Sequence, residues 1–265
     1  MIHVTIQTKG GVGKSTVASQ LLTSFVFINT QKPVQFFEID DQNQSIKTLS
    51  ASSIIDAKLV NLENLNKFAE ESILFEDDAI IDVGGNLTAT TFLQKLKVLG
   101  GFLAPTTYYI PLTDSDQDAI NAANTFSLIR EFDKSSKIIY VLNRCTNKSN
   151  AELLEREFIN YYGSDVLDVA PIVKDNQTDM IALNRHHIYS VIGKLQKTII
   201  ELGQDDYEEP YRAVAQEFFK DKTNQPLYKE LRRLMFLKEQ TTIAKQIFKD
   251  EYLDLFAQIT QITKV

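Results

Sequence analysis

QTKGGVGKSTV, residues 7–17, is the stretch from which the rest of the chain is read. Ahead of it Ile2, Val4 and Ile6 give the apolar, β-branched alternation of a short strand. Behind it Val17, Ala18, Leu21, Leu22 and Phe25 recur with helical spacing, which predicts a helix over 14–28. Between strand and helix stand Gly10, Gly11, Val12 and Gly13, then Lys14, Ser15 and Thr16. Strand, glycine-rich turn, Lys-Ser/Thr and helix is the layout of a phosphate-binding loop. Glycines let the backbone curl so that successive N–H groups point inward at phosphate oxygens, and the helix N-terminus adds positive partial charge. Residues 10–16 are therefore the expected nucleotide contacts, with Lys14 on the β- and γ-phosphates and Ser15 as a ligand of Mg²⁺.

The standard loop has glycine at position 8, where this chain has Thr8, and it lacks the extra lysine found here at Lys9. The wording Lys9-Gly10-Gly11-Val12-Gly13-Lys14-Ser15 resembles the deviant Walker A motif of the ParA/MinD family of ATPases. The resemblance implies ATP and Mg²⁺ as cofactors and an ATP-dependent homodimer, in which Lys9 reaches the nucleotide of the partner subunit. It is closest to the small ParA-type partition ATPases.

Composition sets bounds around that reading. The 265 residues suit one large α/β domain, or such a domain with a helical extension. With 43% hydrophobic and 24% charged residues the chain is ordinarily globular. A net charge of −7 argues against DNA binding by the whole surface while leaving room for a local basic patch. Cys145 is the one cysteine, so a disulfide framework and a thiolate metal site are both excluded, and a cytoplasmic location is the expectation. The same count excludes the iron–sulfur members of the family. No leader-like segment and no stretch approaching eighteen apolar residues is present, so neither secretion nor membrane spanning is expected.

Further along, 34–39 (VQFFEI) reads as a second strand delivering Asp40, Asp41 and Gln42. That ending is similar to the family's Asp-x-Asp-Pro-Gln segment, with Glu38 and Asp41 as departures, and makes Asp40 the switch I aspartate near Mg²⁺ and the attacking water. An acidic, solvated turn is the alternative. A short edge strand is expected at 59–62 and a helix at 63–72. Residues 79–85 (AIIDVGG) form an apolar strand ending in Asp82, the form of a Walker B strand, so Asp82 is expected to hold a water ligand of the metal. Gly84 and Gly85 stand where the family commonly has prolines and are read as keeping the second switch flexible. Strands follow at 106–112 and 137–144, with a helix at 114–132 between them. The second of these strands ends in Asn143 and Arg144, and the resemblance makes Asn143 the adenine reader, a turn-capping role being the alternative. A last strand is expected at 168–173, with the loop 171–177, including Pro171, lining the adenine pocket. Strands alternating with helices imply a doubly wound, mostly parallel sheet, with every singled-out residue at a strand's carboxyl end.

From 187 onward only helical patterns remain, at 191–202, 211–220, 227–239 and 242–262. The division expected is a P-loop ATPase core over 1–204 and a helical C-terminal extension over 205–265 packed on it. Lys220, Lys222, Lys229, Arg232 and Arg233 are candidate DNA contacts, since relatives of the ParA type bind DNA non-specifically through basic C-terminal residues; a solvated helix face competes with that reading. The stripe Phe248, Tyr252, Leu255, Phe256, Ile259 and Ile262 fits packing on the core better than a membrane surface, because its polar face carries acids as well as lysines. The function expected is a slow, partner-stimulated ATPase switch in plasmid or chromosome partition, nucleoid-associated if it binds DNA, with a centromere-binding partner protein. A conjugation-associated or MinD-like positioning ATPase, or a nucleotide-dependent binding module with little hydrolysis, are the alternatives. A dinucleotide oxidoreductase is disfavoured because Thr16 stands where the third fingerprint glycine belongs.

Overall fold

In the computed structural model, which describes residues 1–40, 49–75, 77–171 and 179–264, β1 (Ile2–Thr5) lies in the middle of a seven-stranded sheet. The other strands are β2 (Val34–Ile39), β3 (Ile55–Leu59), β4 (Ala79–Val83), β5 (Thr106–Leu112), β6 (Lys137–Cys145) and β7 (Asp179–Asn184). Their order is β3-β2-β4-β1-β5-β6-β7, and every pair is parallel. The central strands β1, β4 and β5 are buried at every position, which is why β4 reads as a nearly continuous apolar, β-branched run up to Asp82, while β1 alternates with the buried polar His3 and Thr5. The chain winds to one side of β1 and then to the other, so the crevice of a doubly wound sheet opens at the carboxyl end of β1.

Helices cover both faces. On one lie α2 (Leu65–Glu71), α3 (Leu87–Leu99), α4 (Asp116–Arg130), α5 (Ala151–Glu157) and α6 (Ile159–Tyr162), with Phe68, Phe92, Leu96, Ile129 and Leu154 in the core. On the other lies α1, which runs through Lys14–Thr16, a π-helical stretch Val17–Leu22 and Thr23–Thr30. Beside it lie α7 (Ile188–Leu195) and α8 (Ile199–Gln204). The last two helices are α9 (Glu208–Lys220) and α10, which continues from Gln225–Ile247 through a π-helical turn Phe248–Tyr252 into Leu253–Thr263. Tyr252, Leu255, Phe256 and Ile259 of α10 are buried in the second core. That stripe therefore packs on the sheet-covering helices.

Several sequence expectations are corrected. The edge strand is β3, ending at Leu59 where the expected one began, and 62–64 is a 3₁₀ turn. No strand forms at 168–171: Ser164 and Val169 bridge each other across a turn, with Asp168 held at φ 53°. The last strand is β7, whose buried Ile181 and Leu183 alternate with less buried neighbours. Helix α3 had no counterpart among the expected elements; its buried face is Ala89, Phe92, Leu93 and Leu96. The expected helix 191–202 is two helices, split at Gln196 (φ 54°) and restarted by a capping box between Thr198 and Glu201. Conversely, 227–239 and 242–262 belong to the single helix α10. Asp41, Gln42 and the loop beyond Pro171 lie outside the described residues.

Candidate functional site

The loop after β1 is held from three sides. Gln7, fully buried, accepts from the Lys9 N–H at 2.8 Å and donates to the Pro111 carbonyl at 3.0 Å. The Thr8 carbonyl accepts from Asn86 N–H at 2.8 Å, which ties the loop to the segment after β4. From β6, Asn143 donates to the Val12 carbonyl and the Arg144 guanidinium to the Gly11 carbonyl, each at 2.8 Å. Gly13 sits at φ +93° with Asn143 so close that a Cβ there would lie 2.0 Å from Asn143 Nδ2. Only glycine meets both demands.

At the carboxyl ends of β1, β2 and β4 the loop borders a cavity of about 260 Å³ lined by Gly10, Gly11, Gly13, Lys14, Ser15, Thr16, Glu38, Asp40, Asp82, Gly84, Gly85 and Arg144. The structure thus brings together the predicted Lys14, Ser15, Asp40 and Asp82. Parallel pairing of β2 with β4 sets Glu38 opposite Asp82, which adds a third carboxylate that the sequence reading had treated only as a departure from the family pattern. Lys14 is 7% exposed and donates to the Lys9 carbonyl at 2.8 Å. Burial lowers its pKa, opposed by the charges of Asp82 and Asp40. Burial pushes Asp82 up to about 7; a hydrogen bond from Ser15 and the Lys14 charge pull it down, while Glu38 and Asp40 push it further up.

Gly84 and Gly85 serve close approach. A Cβ on Gly84 would lie 2.8 Å from Asp40 Cγ, and one on Gly85 would lie 2.9 Å from Gly10 Cα. The segment after β4 is thereby pressed against both Asp40 and the phosphate loop.

A cation fits here on the structure's own terms. Asp82 Oδ1 is buried with no hydrogen-bond partner, facing an excess of carboxylate over ammonium. Among the described residues no three His, Cys, Asp or Glu side chains form a metal cage by themselves.

A second cavity, of about 790 Å³, adjoins the first through Thr16 and Arg144. Asn143, Thr113, Asp114, Glu157, Asn184, Arg185, His186, His187 and Tyr189 are among its lining residues. The residues from β7 and the start of α7 were not singled out from sequence; with the last strand expected eleven residues too early, nothing marked them as a strand end. Asn143 is 4% exposed, and its amide is engaged by the Val12 carbonyl and the Arg144 N–H. It supports the loop, keeping one N–H and one lone pair for anything else. Pro171 is exposed and lies against Gly163, and it does not line this cavity. Cys145 is buried, and burial pushes its thiol up to about 12, so it is inert packing.

Lys9 borders the phosphate loop with 37% of its side chain exposed, paired with Asp118 in the first turn of α4. The five candidate DNA contacts are all exposed. Lys220 and Arg233 are each paired at 2.7 Å, with Glu217 and Glu230. Among the described residues Lys222, Lys229 and Arg232 make no ion pair, and Lys222 and Arg232 lie over the rings of Phe219 and Tyr228.

A parallel sheet with a glycine-rich loop leading from its central strand into a helix defines a P-loop nucleotide-binding protein. The family model described as the CobQ/CobB/MinD/ParA nucleotide-binding domain matches residues 3–188, and the chain belongs to that family. No curated protein sequence matches the chain. Among solved structures it is similar to the MinD cell division protein of Aquifex aeolicus, at 16% identity and a TM-score of 0.51, over 88% of this chain and 96% of that one. Another is a candidate plasmid partition protein of Borrelia burgdorferi B31 bound to AMPPNP, at 14% identity and a TM-score of 0.42, over 70% of this chain and 87% of that one. No helix among the described residues is long and apolar enough to cross a membrane.

Proposed function

We propose that the protein is an ATPase switch of the ParA type, which dimerises on ATP and acts in DNA partition with a centromere-binding partner. The observation that carries the reading is the convergence of Lys14, Ser15, Asp40 and Asp82 on one cavity at the strand ends, with Lys9 outside it at the rim. In this reading the amides of residues 10–16 wrap the triphosphate, and Lys14 neutralises its terminal charge. Ser15, Asp82 and Asp40 would hold Mg²⁺, which would supply charge neutralisation to the phosphates. Asp40 orients the attacking water. Lys9 of each subunit is the cation brought to the other's nucleotide, the kind of electrostatic help phosphoryl transfer needs. Asn143 is offered to the base with its remaining N–H and lone pair. The division into a core over 1–204 and a C-terminal extension over 205–265 is kept as part of the proposal.

The buried stripe of α10 supports partition over a MinD-like membrane role, because Tyr252, Leu255, Phe256 and Ile259 are already spent on the core. The test is co-sedimentation with DNA in the presence of ATP, of ADP and of neither, together with phosphate release. ATP-dependent DNA binding with slow hydrolysis is expected. Absence of DNA binding in every state would move the reading to a positioning ATPase or a binding module.

A further inference from the structure

The π-helical turn Phe248–Tyr252 of α10 reaches the wall of the 790 Å³ cavity through two consecutive residues. Glu251, 3% exposed, bonds His186 Nε2 at 2.5 Å and accepts from the Asn184 N–H at 2.8 Å. The Tyr252 hydroxyl, in a side chain with no exposure, pairs with the Tyr189 hydroxyl at 3.0 Å. Asn184, His186 and Tyr189 all line the cavity, whereas Glu251 and Tyr252 stand behind it. Burying a carboxylate is costly, and a helix needing only to pack would be better served by leucine. Burial by itself would raise the Glu251 pKa, yet the bonds from His186 and Asn184, and the charge of Lys148 at 3.7 Å, hold it below the ordinary carboxylate range. An ionised carboxylate only accepts, so His186 Nε2 is its donor. That bond fixes the orientation of the ring and leaves Nδ1 as the nitrogen that Glu251 does not hold.

We propose that Glu251 and Tyr252 are positioning residues for the nucleoside half of the nucleotide, holding the His186 and Tyr189 rings in fixed orientation on the cavity wall. The inference rests on the reading of the phosphate loop as a triphosphate site. It makes the C-terminal helix part of nucleotide recognition, although its own residues touch no nucleotide. π-Helical turns inside longer helices are frequent at functional sites, which agrees with this placement.

The experiment compares binding of ATP and of inorganic tripolyphosphate, each with Mg²⁺, by titration calorimetry on the full chain. Glu251→Ala should weaken ATP about tenfold while leaving tripolyphosphate within about twofold, as expected for losing one or two oriented hydrogen bonds to the nucleoside. Glu251→Gln, which keeps an acceptor for Nε2, should recover most of the loss. Tyr252→Phe, a smaller change that serves if Glu251→Ala does not fold, should weaken ATP about threefold and tripolyphosphate not at all. Equal weakening of both ligands, or no effect on ATP, overturns the inference. Wild-type protein that binds neither ligand overturns the phosphate-loop reading along with it, an outcome separate from variants that leave ATP binding intact.

Discussion

Lys9 is ion-paired with Asp118 of its own chain. Asp118 is 4% exposed and its other oxygen accepts from the Thr113 hydroxyl at 2.5 Å, so the lysine neutralises a nearly buried charge. In the single chain the side chain proposed to serve a neighbouring subunit is therefore occupied at home. Releasing it leaves a buried carboxylate short of a partner, a cost that any ATP-bound dimer has to offset. Asp118→Asn should accordingly dimerise at lower ATP concentration than wild type. Lys9→Ala should bind ATP within about threefold of wild type, since no cavity contact is removed, and fail to dimerise. Sedimentation velocity over an ATP series reads both. An Asp118→Asn protein with an unchanged dimerisation midpoint would remove the latch from the account.

Gly85 and Gly193 are both glycines, with opposite expectations. An alanine methyl at Gly85 meets Gly10 Cα at 2.9 Å and Gly10 N at 3.1 Å, backbone atoms that cannot swing aside. Gly85→Ala should cost about 1–3 kcal/mol and weaken ATP binding by displacing the loop. Gly193, exposed in α7, has nothing within 4 Å of the added carbon. Gly193→Ala should gain about 0.5–1 kcal/mol of helix stability. Thermal unfolding with and without ATP separates the two. Equal stability in the two variants would mean the segment after β4 does not press on the loop.

The phosphate loop was legible because its chemistry is local: glycines, Lys14 and Ser15 stand in one short run between a strand and a helix. Asp82 was legible for a related reason, as the charge that ends a continuous apolar strand. Partners distant in sequence were not. Asp118 is one of three aspartates, with Asp114 and Asp116, at the start of α4, and only the fold selects it for Lys9. Glu251 lies 65 residues from His186, so their meeting depends on where α10 crosses the end of β7. Propensity misled at 168–171, where the left-handed Asp168 stands at the head of the apolar run and Val169 bridges back to Ser164. It hid α3 too, whose threonines are weak helix formers held in place by the buried Ala89, Phe92, Leu93 and Leu96. Asn143 stands near the end of β6, as its strand reading expects, and its amide is engaged by the Val12 carbonyl of the phosphate loop.

Asp82 makes stability depend on pH in a stated direction. Its pKa rises from 3.8 to about 7 on folding, chiefly through burial. A raised acid favours the folded state while protonated, so that contribution is present below about pH 4 and is lost as pH rises through about 7. The ligand-free protein should thus lose stability across this window, by on the order of a few kcal/mol. Asp82→Asn, which cannot ionise, should flatten the profile and melt higher than wild type at pH 8. Mg²⁺ with ATP should raise the wild-type melting temperature at pH 8 and do little for the variant. Wild-type and Asp82→Asn melting profiles that run parallel from pH 4 to 8 would show that Asp82 is not the titrating group.

The cations of α9 and α10 are not equivalent, and that predicts which of them a DNA backbone meets. Lys220 and Arg233 already hold Glu217 and Glu230, so a phosphate would have to compete for them. Lys229 and Arg232 stand one turn apart on α10, exposed and without an ion pair among the described residues. Each phosphate neutralised releases counterions, so removing a free cation should weaken binding and also lower its salt dependence. Lys229→Ala with Arg232→Ala should therefore reduce ATP-dependent DNA co-sedimentation strongly and reduce the slope of log affinity against log salt by about 2. The pair Lys220→Ala with Arg233→Ala should do less, because each of those cations is already held by an acid and has less to offer a phosphate. If the second pair proves the more damaging, the DNA-facing surface lies toward the α9–α10 turn instead of along α10. If neither pair changes the salt slope, this helix face is solvated and the nucleic-acid contact must be sought elsewhere.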